Sequence, residues 1–138
     1  MRPEDVQYLS VEDVLNLHDV ALSETGGMDG ILKASELDAA VMGPRASYGG
    51  IPLLTSIADI AAAYGFYLVK LHPFNDGNKR TALLSMMAFL ERHQMSLKLT
   101  KKWVGIMVNL AEDHSFQREQ LAELIAKSVG WGGLDIED

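Results

Sequence analysis

The chain is 138 residues long, with 48% hydrophobic and 22% charged residues, no cysteine and a formal net charge of −7. That composition suffices to bury one core and predicts a single domain over residues 1–138, while the missing cysteine excludes disulfides and thiol chemistry and fits a cytoplasmic setting. The acidic balance, with a pI near 5.0, argues against nucleic-acid or anionic-membrane partners, which need a positive surface; neither a basic-plus-apolar leader nor a membrane-length apolar run is visible.

Ser10 precedes Val11, Val14, Leu15 and Leu17, which predicts an N-capped amphipathic helix ending at Gly26-Gly27. A second, shorter helix is expected from Leu32 to Met42, stopped by Gly43-Pro44. From Gly43 to Leu54 the helical period is lost around Gly49-Gly50, which reads as a loop or short β-hairpin flap. Long connections of this kind are often plain surface turns and often carry function, so Arg45, Tyr48, Gly49 and Gly50 are candidate target-docking residues. Ser56 to Leu71 is apolar and rich in small residues, including Ala58, Ala61, Ala62 and Ala63, and predicts a helix at the centre of a bundle. The helix expected from about Asn78 to His93 carries an apolar load suited to burial on most sides. Met95 to Leu99 is short enough to be an extended piece, Thr100 and Ser115 are expected to cap two further helices, and residues 131–138 form an acidic tail expected to fray. The whole reads as an all-α fold, a compact six-helix bundle.

The connection between the two central helices is the segment that packing explains least. His72-Pro73-Phe74-Asn75-Asp76-Gly77-Asn78-Lys79-Arg80 sets a base, a carboxylate, a glycine turn, an amide and two cations between apolar runs. A helix start carries partial positive charge and favours acidic side chains, so Lys79 and Arg80 in that turn each cost about a few tenths of a kcal/mol. An anion in the turn removes the conflict, because main-chain N–H groups, an ammonium and a guanidinium then converge on the same oxygens. A phosphate loop of the Gly-x4-Gly-Lys-Ser/Thr type fails on spacing, and the four histidines never stand at i, i+4 with an acidic neighbour, so a zinc site built from them is not expected. His72 is the candidate base, set against the plain reading of a helix C-cap. Asp76 either caps the next helix or holds a hard cation such as Mg2+, which takes only one or two protein carboxylates. Phe74 is expected to anchor the loop in the core, His18 to satisfy a local hydrogen bond in the first helix or else to border a nucleotide or partner groove, and Lys70 to be solvated.

These nine residues resemble the signature of the Fic family, His-Pro-Phe-x-Asp/Glu-Gly-Asn-Gly/Lys-Arg. The continuation Lys79-Arg80-Thr81-Ala82-Leu83 and the short chain resemble its death-on-curing (Doc) branch, the toxins of toxin–antitoxin pairs. The similarity runs from the first helix, with Leu17-His18-Asp19 and Gly26-Gly27, to about Val129. The resemblance implies an all-helical fold whose loop binds ATP with Mg2+ and whose histidine activates a target hydroxyl. Carried over position by position, it implies His72 as base, Asp76 as metal ligand, Phe74 as core anchor, and Asn75, Gly77, Asn78, Lys79 and Arg80 as the phosphate and nucleotide cradle. It also implies a cognate antitoxin whose disordered C-terminal segment folds as a helix into a groove.

Two positions depart from the commoner pattern. Most Fic members that transfer AMP have Gly where Lys79 stands and a second Arg where Leu83 stands, and a leucine cannot bind phosphate. Ser115-Phe116-Gln117-Arg118-Glu119 resembles the family's inhibitory Ser/Thr-x-x-x-Glu motif only loosely, and without the second Arg that restraint lacks its partner. The departures imply a nucleotide seated differently, so that the γ-phosphate of ATP moves to a Ser or Thr hydroxyl of a translation factor, elongation factor Tu by analogy, halting translation. AMP transfer to protein is the enzymatic alternative, and a non-enzymatic nucleotide-binding or interaction module is the other.

Overall fold

The computed structural model describes residues 2–129; the acidic tail at 131–138 lies outside them. Six α-helices carry the described residues: α1 (Val11–Thr25), α2 (Ala34–Met42), α3 (Ile57–Leu71), α4 (Asn78–Glu91), α5 (Lys101–Glu112) and α6 (Arg118–Val129). Between α2 and α3 a single 3-10 turn, Gly43–Arg45, leads into a two-stranded antiparallel hairpin, β1 (Ser47–Tyr48) with β2 (Ile51–Pro52), in which Ser47 faces Pro52 and Tyr48 faces Ile51. The fold is all-α with a small hairpin flap.

Local chemistry accounts for most helix starts. Ser10 accepts from Asp13 N–H while the Asp13 carboxylate accepts from Ser10 N–H, a reciprocal capping box that opens α1. Ser56 and Thr100 do half of this for α3 and α5, accepting from Asp59 N–H and Trp103 N–H. The helix α2 begins later than its apolar pattern: Leu32 and Lys33 donate their N–H groups to the Pro73 carbonyl, and Lys33 stays extended (φ −138, ψ 96) at the N-cap position. Ser115 does not cap α6: its N–H and hydroxyl both donate to the Asp113 carboxylate, and the helix starts three residues later, where Gln120 accepts from Gln117 N–H. Residues 95–99 form no strand either, since Met95 N–H donates back to Leu90 O and turns the chain off the end of α4.

Helix α3 is the axis of the molecule and packs against α2, α4, α5 and α6. Ten of its fifteen residues are buried, which explains why its sequence shows small apolar residues nearly all round rather than a stripe. Gly65 permits its closest approach to α4, since a side chain there would overlap the Met86 thioether. The N-terminal segment is strapped across the same core by polar contacts. Leu9 N–H donates to the Tyr64 hydroxyl (2.8 Å), Arg45 Nη2 donates to Leu9 O (2.9 Å), and Arg92 Nη1 donates to Tyr8 O (2.9 Å). Lys70 is not a free surface residue: its ammonium donates to Leu110 O at 2.7 Å and ties α3 to the end of α5, where carbonyls lack helical partners. No helix among the described residues is long and apolar enough to cross a membrane.

Candidate active site

The segment from His72 to Arg80 is the connection between α3 and α4, and each of its bends has an identifiable cause. Pro73 follows the last residue of α3 too closely for the helix to continue, and His72 closes the helix in the left-handed region (φ 50, ψ 58). A non-glycine residue there is strained by roughly 1–2 kcal/mol, and its imidazole is exposed. Pro73 O then accepts two N–H groups, from Leu32 (2.8 Å) and Lys33 (3.0 Å), and Asn75 N–H donates to Gly30 O (3.1 Å). Phe74 and Ile31 form an antiparallel bridge between these bonds. The loop is thus fixed to the α1–α2 connection as a short stretch of sheet, and a Cβ on Gly30 would come within 2.8 Å of the Asn75 amide nitrogen.

Three side chains hold the turn from inside. Phe74 is fully buried, and the ring of His18 on α1 stacks on it at 3.8 Å with an 8° tilt. His18 Nε2 lies 2.8 Å from the Asp76 carbonyl, 58 residues away in the chain, so the expectation of a local bond within α1 is corrected. Asn78, only 5% exposed, accepts from Phe74 N–H through Oδ1 (3.0 Å) and donates to Phe74 O through Nδ2 (2.9 Å). Its side chain is engaged by the loop itself, and what it can offer a ligand is its main-chain N–H. Sequence reasoning missed this use of Asn78, because nothing in the spacing shows that an amide four residues from Phe74 bridges both of its main-chain groups.

Asp76 does not cap α4. Gly77 occupies the N-cap position with φ 81, a conformation that disfavours side chains, and no side chain satisfies the first N–H groups of the helix. The Asp76 carboxylate instead turns toward the α1–α2 connection, where Oδ2 accepts Met28 N–H at 2.8 Å. The first turn of α4 therefore presents uncapped N–H groups, no acidic residue, and the cations Lys79 and Arg80. Arg80 is paired with Glu24 near the end of α1, while its Nε is buried without a partner.

Beside this turn lies a cavity of about 240 Å³, lined by Gly77, Asn78, Lys79 and Arg80 at one side and by Leu83, Val104, Met107 and Val108 at the other. Cations and open donors meet an apolar wall contributed largely by α5. His72 is not among the lining residues, and neither is Asp76. Of the other candidates, Asn75 donates its amide to Asp29 O at 3.3 Å. Tyr48, Gly49 and Gly50 form the exposed tip of the hairpin, with Tyr48 84% exposed. Arg45 stands apart from them in role: its guanidinium bonds Leu9 O and lies 5.0 Å over the Tyr8 ring, so it is a staple of the N-terminal segment rather than an open docking residue.

An all-helical scaffold, a His-Pro-Phe loop clasped onto the first helix, and an uncapped cationic helix start together define a Fic-type architecture. The family model described as Fic/DOC family matches residues 8–90, and the chain belongs to that family. Among characterised relatives it is 33% identical over 90 residues to Protein kinase doc of Escherichia phage P1, covering 64% of this chain and 69% of that protein. It is 36% identical over 91 residues to Toxin Doc of Mycolicibacterium smegmatis, covering 66% of this chain and 68% of that protein. The matched family segment ends within α4, so the apolar wall from α5 lies beyond it.

Proposed function

We propose that this protein is a toxin-type phosphotransferase that moves the γ-phosphate of ATP to a Ser or Thr hydroxyl of a cytoplasmic translation factor, with elongation factor Tu as the first target to test. The observation that carries the reading is the start of α4, where open N–H groups, Lys79 and Arg80 border a cavity whose next wall is Leu83. This arrangement suits a phosphate chain at the helix start. It offers no second guanidinium one turn later to hold a nucleotide in the AMP-transferring pose. At about 240 Å³ the cavity is below the roughly 300–1,000 Å³ of sites that enclose drug-sized ligands, so it would enclose part of a nucleotide and leave the rest toward the loop. The name of the phage relative, a protein kinase, favours the same reaction.

In this reading His72, exposed and fixed by the closure of α3, accepts the proton of the target hydroxyl. The hydroxyl oxygen bonds the γ-phosphorus as its bond to the β–γ bridging oxygen breaks, and ADP leaves. Lys79, Arg80 and the N–H groups of the first turn hold the phosphate oxygens, whose charge they oppose. Asp76 fits a hard divalent ion: Oδ2 is held by Met28 N–H, Oδ1 has no protein donor among the described residues, and one carboxylate with phosphate oxygens and water suffices for Mg2+. Such an ion would supply charge neutralisation on the phosphates. Phe74 and Asn78 position the loop, and the hairpin tip at Tyr48, Gly49 and Gly50 is the edge at which a target segment would dock. The family context supports a cognate antitoxin with a disordered C-terminal segment as the natural inhibitor.

Transfer from ATP labelled separately at the α and the γ position, with purified target, tests the reading. Label is expected from γ alone, reduced about 10²–10⁴-fold in His72→Ala as for loss of a general base. Label arriving only from α would make the protein an adenylyltransferase, and label from neither, with toxicity unchanged by His72→Ala, would make it an interaction module.

A further inference from the structure

The two buried histidines differ in how their ring nitrogens are used. His93 has both engaged: Nδ1 donates to Phe89 O (2.9 Å) and Nε2 accepts Gln7 N–H (3.1 Å). His18, 2% exposed, bonds only through Nε2, to the carbonyl of Asp76. A carbonyl can only accept, so Nε2 carries the hydrogen and Nδ1 of the neutral ring carries a lone pair. That lone pair faces negative charge. Asp29 Oδ1 is 3.9 Å from Nδ1, too far for a hydrogen bond, and the carboxylate of Asp19 joins them in a group whose donor atoms all lie within 4.8 Å of one another. One ring nitrogen of this buried imidazole thus stands without a hydrogen-bond partner beside two carboxylates.

We infer that His18, Asp19 and Asp29 form a divalent-cation site separate from Asp76. Two atoms bound to one zinc ion at about 2.0–2.2 Å are about 3.3–3.6 Å apart at a tetrahedral angle, so the 3.9 Å pair has to close by a few tenths of an ångström; both carboxylates are exposed, and Asp29 Oδ1 accepts Gly30 N–H at 2.7 Å. One imidazole with two carboxylates suits Zn2+ or a similar transition ion better than Mg2+ or Ca2+, which take oxygen alone, and a three-ligand site leaves positions for water. The expectation against a histidine metal site considered only spacing along the chain; Asp29 reaches the ring from the α1–α2 connection through the tertiary fold. The ion would clip that connection to α1. Since His18 Nε2 and Met28 N–H are both bonded to Asp76, it would stiffen the Asp76 turn. The inference does not depend on which group, if any, is transferred.

Zn2+ titrated into the full chain, followed by calorimetry and by the imidazole 15N resonances, tests it. One ion per chain is expected, with a shift at His18 Nδ1. Loss of an outer-shell partner of a metal ligand costs roughly 10–100-fold in affinity, so loss of a ligand in Asp19→Asn or Asp29→Asn should weaken binding at least about tenfold. Both changes are isosteric and at exposed positions, and unfolding curves without metal verify that the variants fold. Asp76→Asn should retain the ion. Absence of uptake, uptake indifferent to Asp19→Asn and Asp29→Asn, or uptake abolished by Asp76→Asn alone would overturn the site.

Discussion

Asn78 decides the shape of the loop more than any residue whose chemistry is more conspicuous. Its amide bridges both main-chain groups of Phe74 inside the core, so Asn78→Ala leaves a buried N–H and a buried C=O without partners. At about 1–3 kcal/mol for each unsatisfied group, a loss of roughly 2–6 kcal/mol is expected in urea unfolding, together with loss of the proposed transfer activity. Arg80 offers a converse case. Its guanidinium is paired with Glu24, and in the proposed reading a nucleotide phosphate would compete with that carboxylate. Exposed ion pairs are worth about 0–1 kcal/mol, so Glu24→Gln is expected to lower KM for ATP by a factor of about 2–5, an advantage that steady-state kinetics should show fading as salt is raised.

At the level of elements, the α3–α4 pair sets the distance across which the loop must close. Gly65 lies at this contact, and a side chain there overlaps that of Met86, which is itself fully buried. Alanine gains about 1 kcal/mol of helix propensity over glycine, which partly offsets the overlap, so the informative substitution is Gly65→Leu. Overpacking of this kind costs typically about 1–3 kcal/mol, and the unfolding free energy obtained from urea titration is expected to fall by the upper end of that range or beyond. Helix α5 contributes differently, docking through Lys70 to Leu110 O and supplying the apolar wall of the cavity. It is the part of the candidate site that the family match does not cover.

For the whole molecule, the N-terminal strap makes stability depend on alkaline pH. Burial pushes the Tyr64 hydroxyl from 10.0 up to about 12, against the lowering effects of Leu9 N–H and Arg45. Between those two values the unfolded chain releases the phenolic proton while the folded chain keeps it, so stability is intact below pH 10 and falls as pH rises toward 12. The fall is about 2–3 kcal/mol, from two units at 1.36 kcal/mol each. Unfolding midpoints across this range should show it. Tyr64→Phe should flatten that limb while lowering stability at neutral pH, because Leu9 N–H loses its acceptor. At the acid end Asp13 is held below its ordinary value chiefly by the Ser10 N–H of the α1 cap, so the cap's contribution is kept above pH 3.8 and lost as pH falls below it.

The sequence by itself determined the six helices and the connection in which the chemistry is concentrated, and left the segment from Gly43 to Leu54 between a loop and a hairpin. Helix period, Ser and Thr caps and Gly-Pro stops act over a few residues, and so can be read without the fold. It also determined the family, since nine consecutive residues carry the signature. Only the tertiary structure decided what holds those residues in place. His18 reaches Asp76 across 58 positions, Lys70 reaches Leu110 across 40, and Arg45 reaches Leu9 across 36. In sequence each reads as a local or surface group, because a polar side chain's partner is fixed by which helices pack together and not by its neighbours in the chain. The same reason hid the use of Asn78, the absence of a cap at Gly77 and the meeting of His18 with Asp29. In each case the sequence supplied the group, and packing chose its partner.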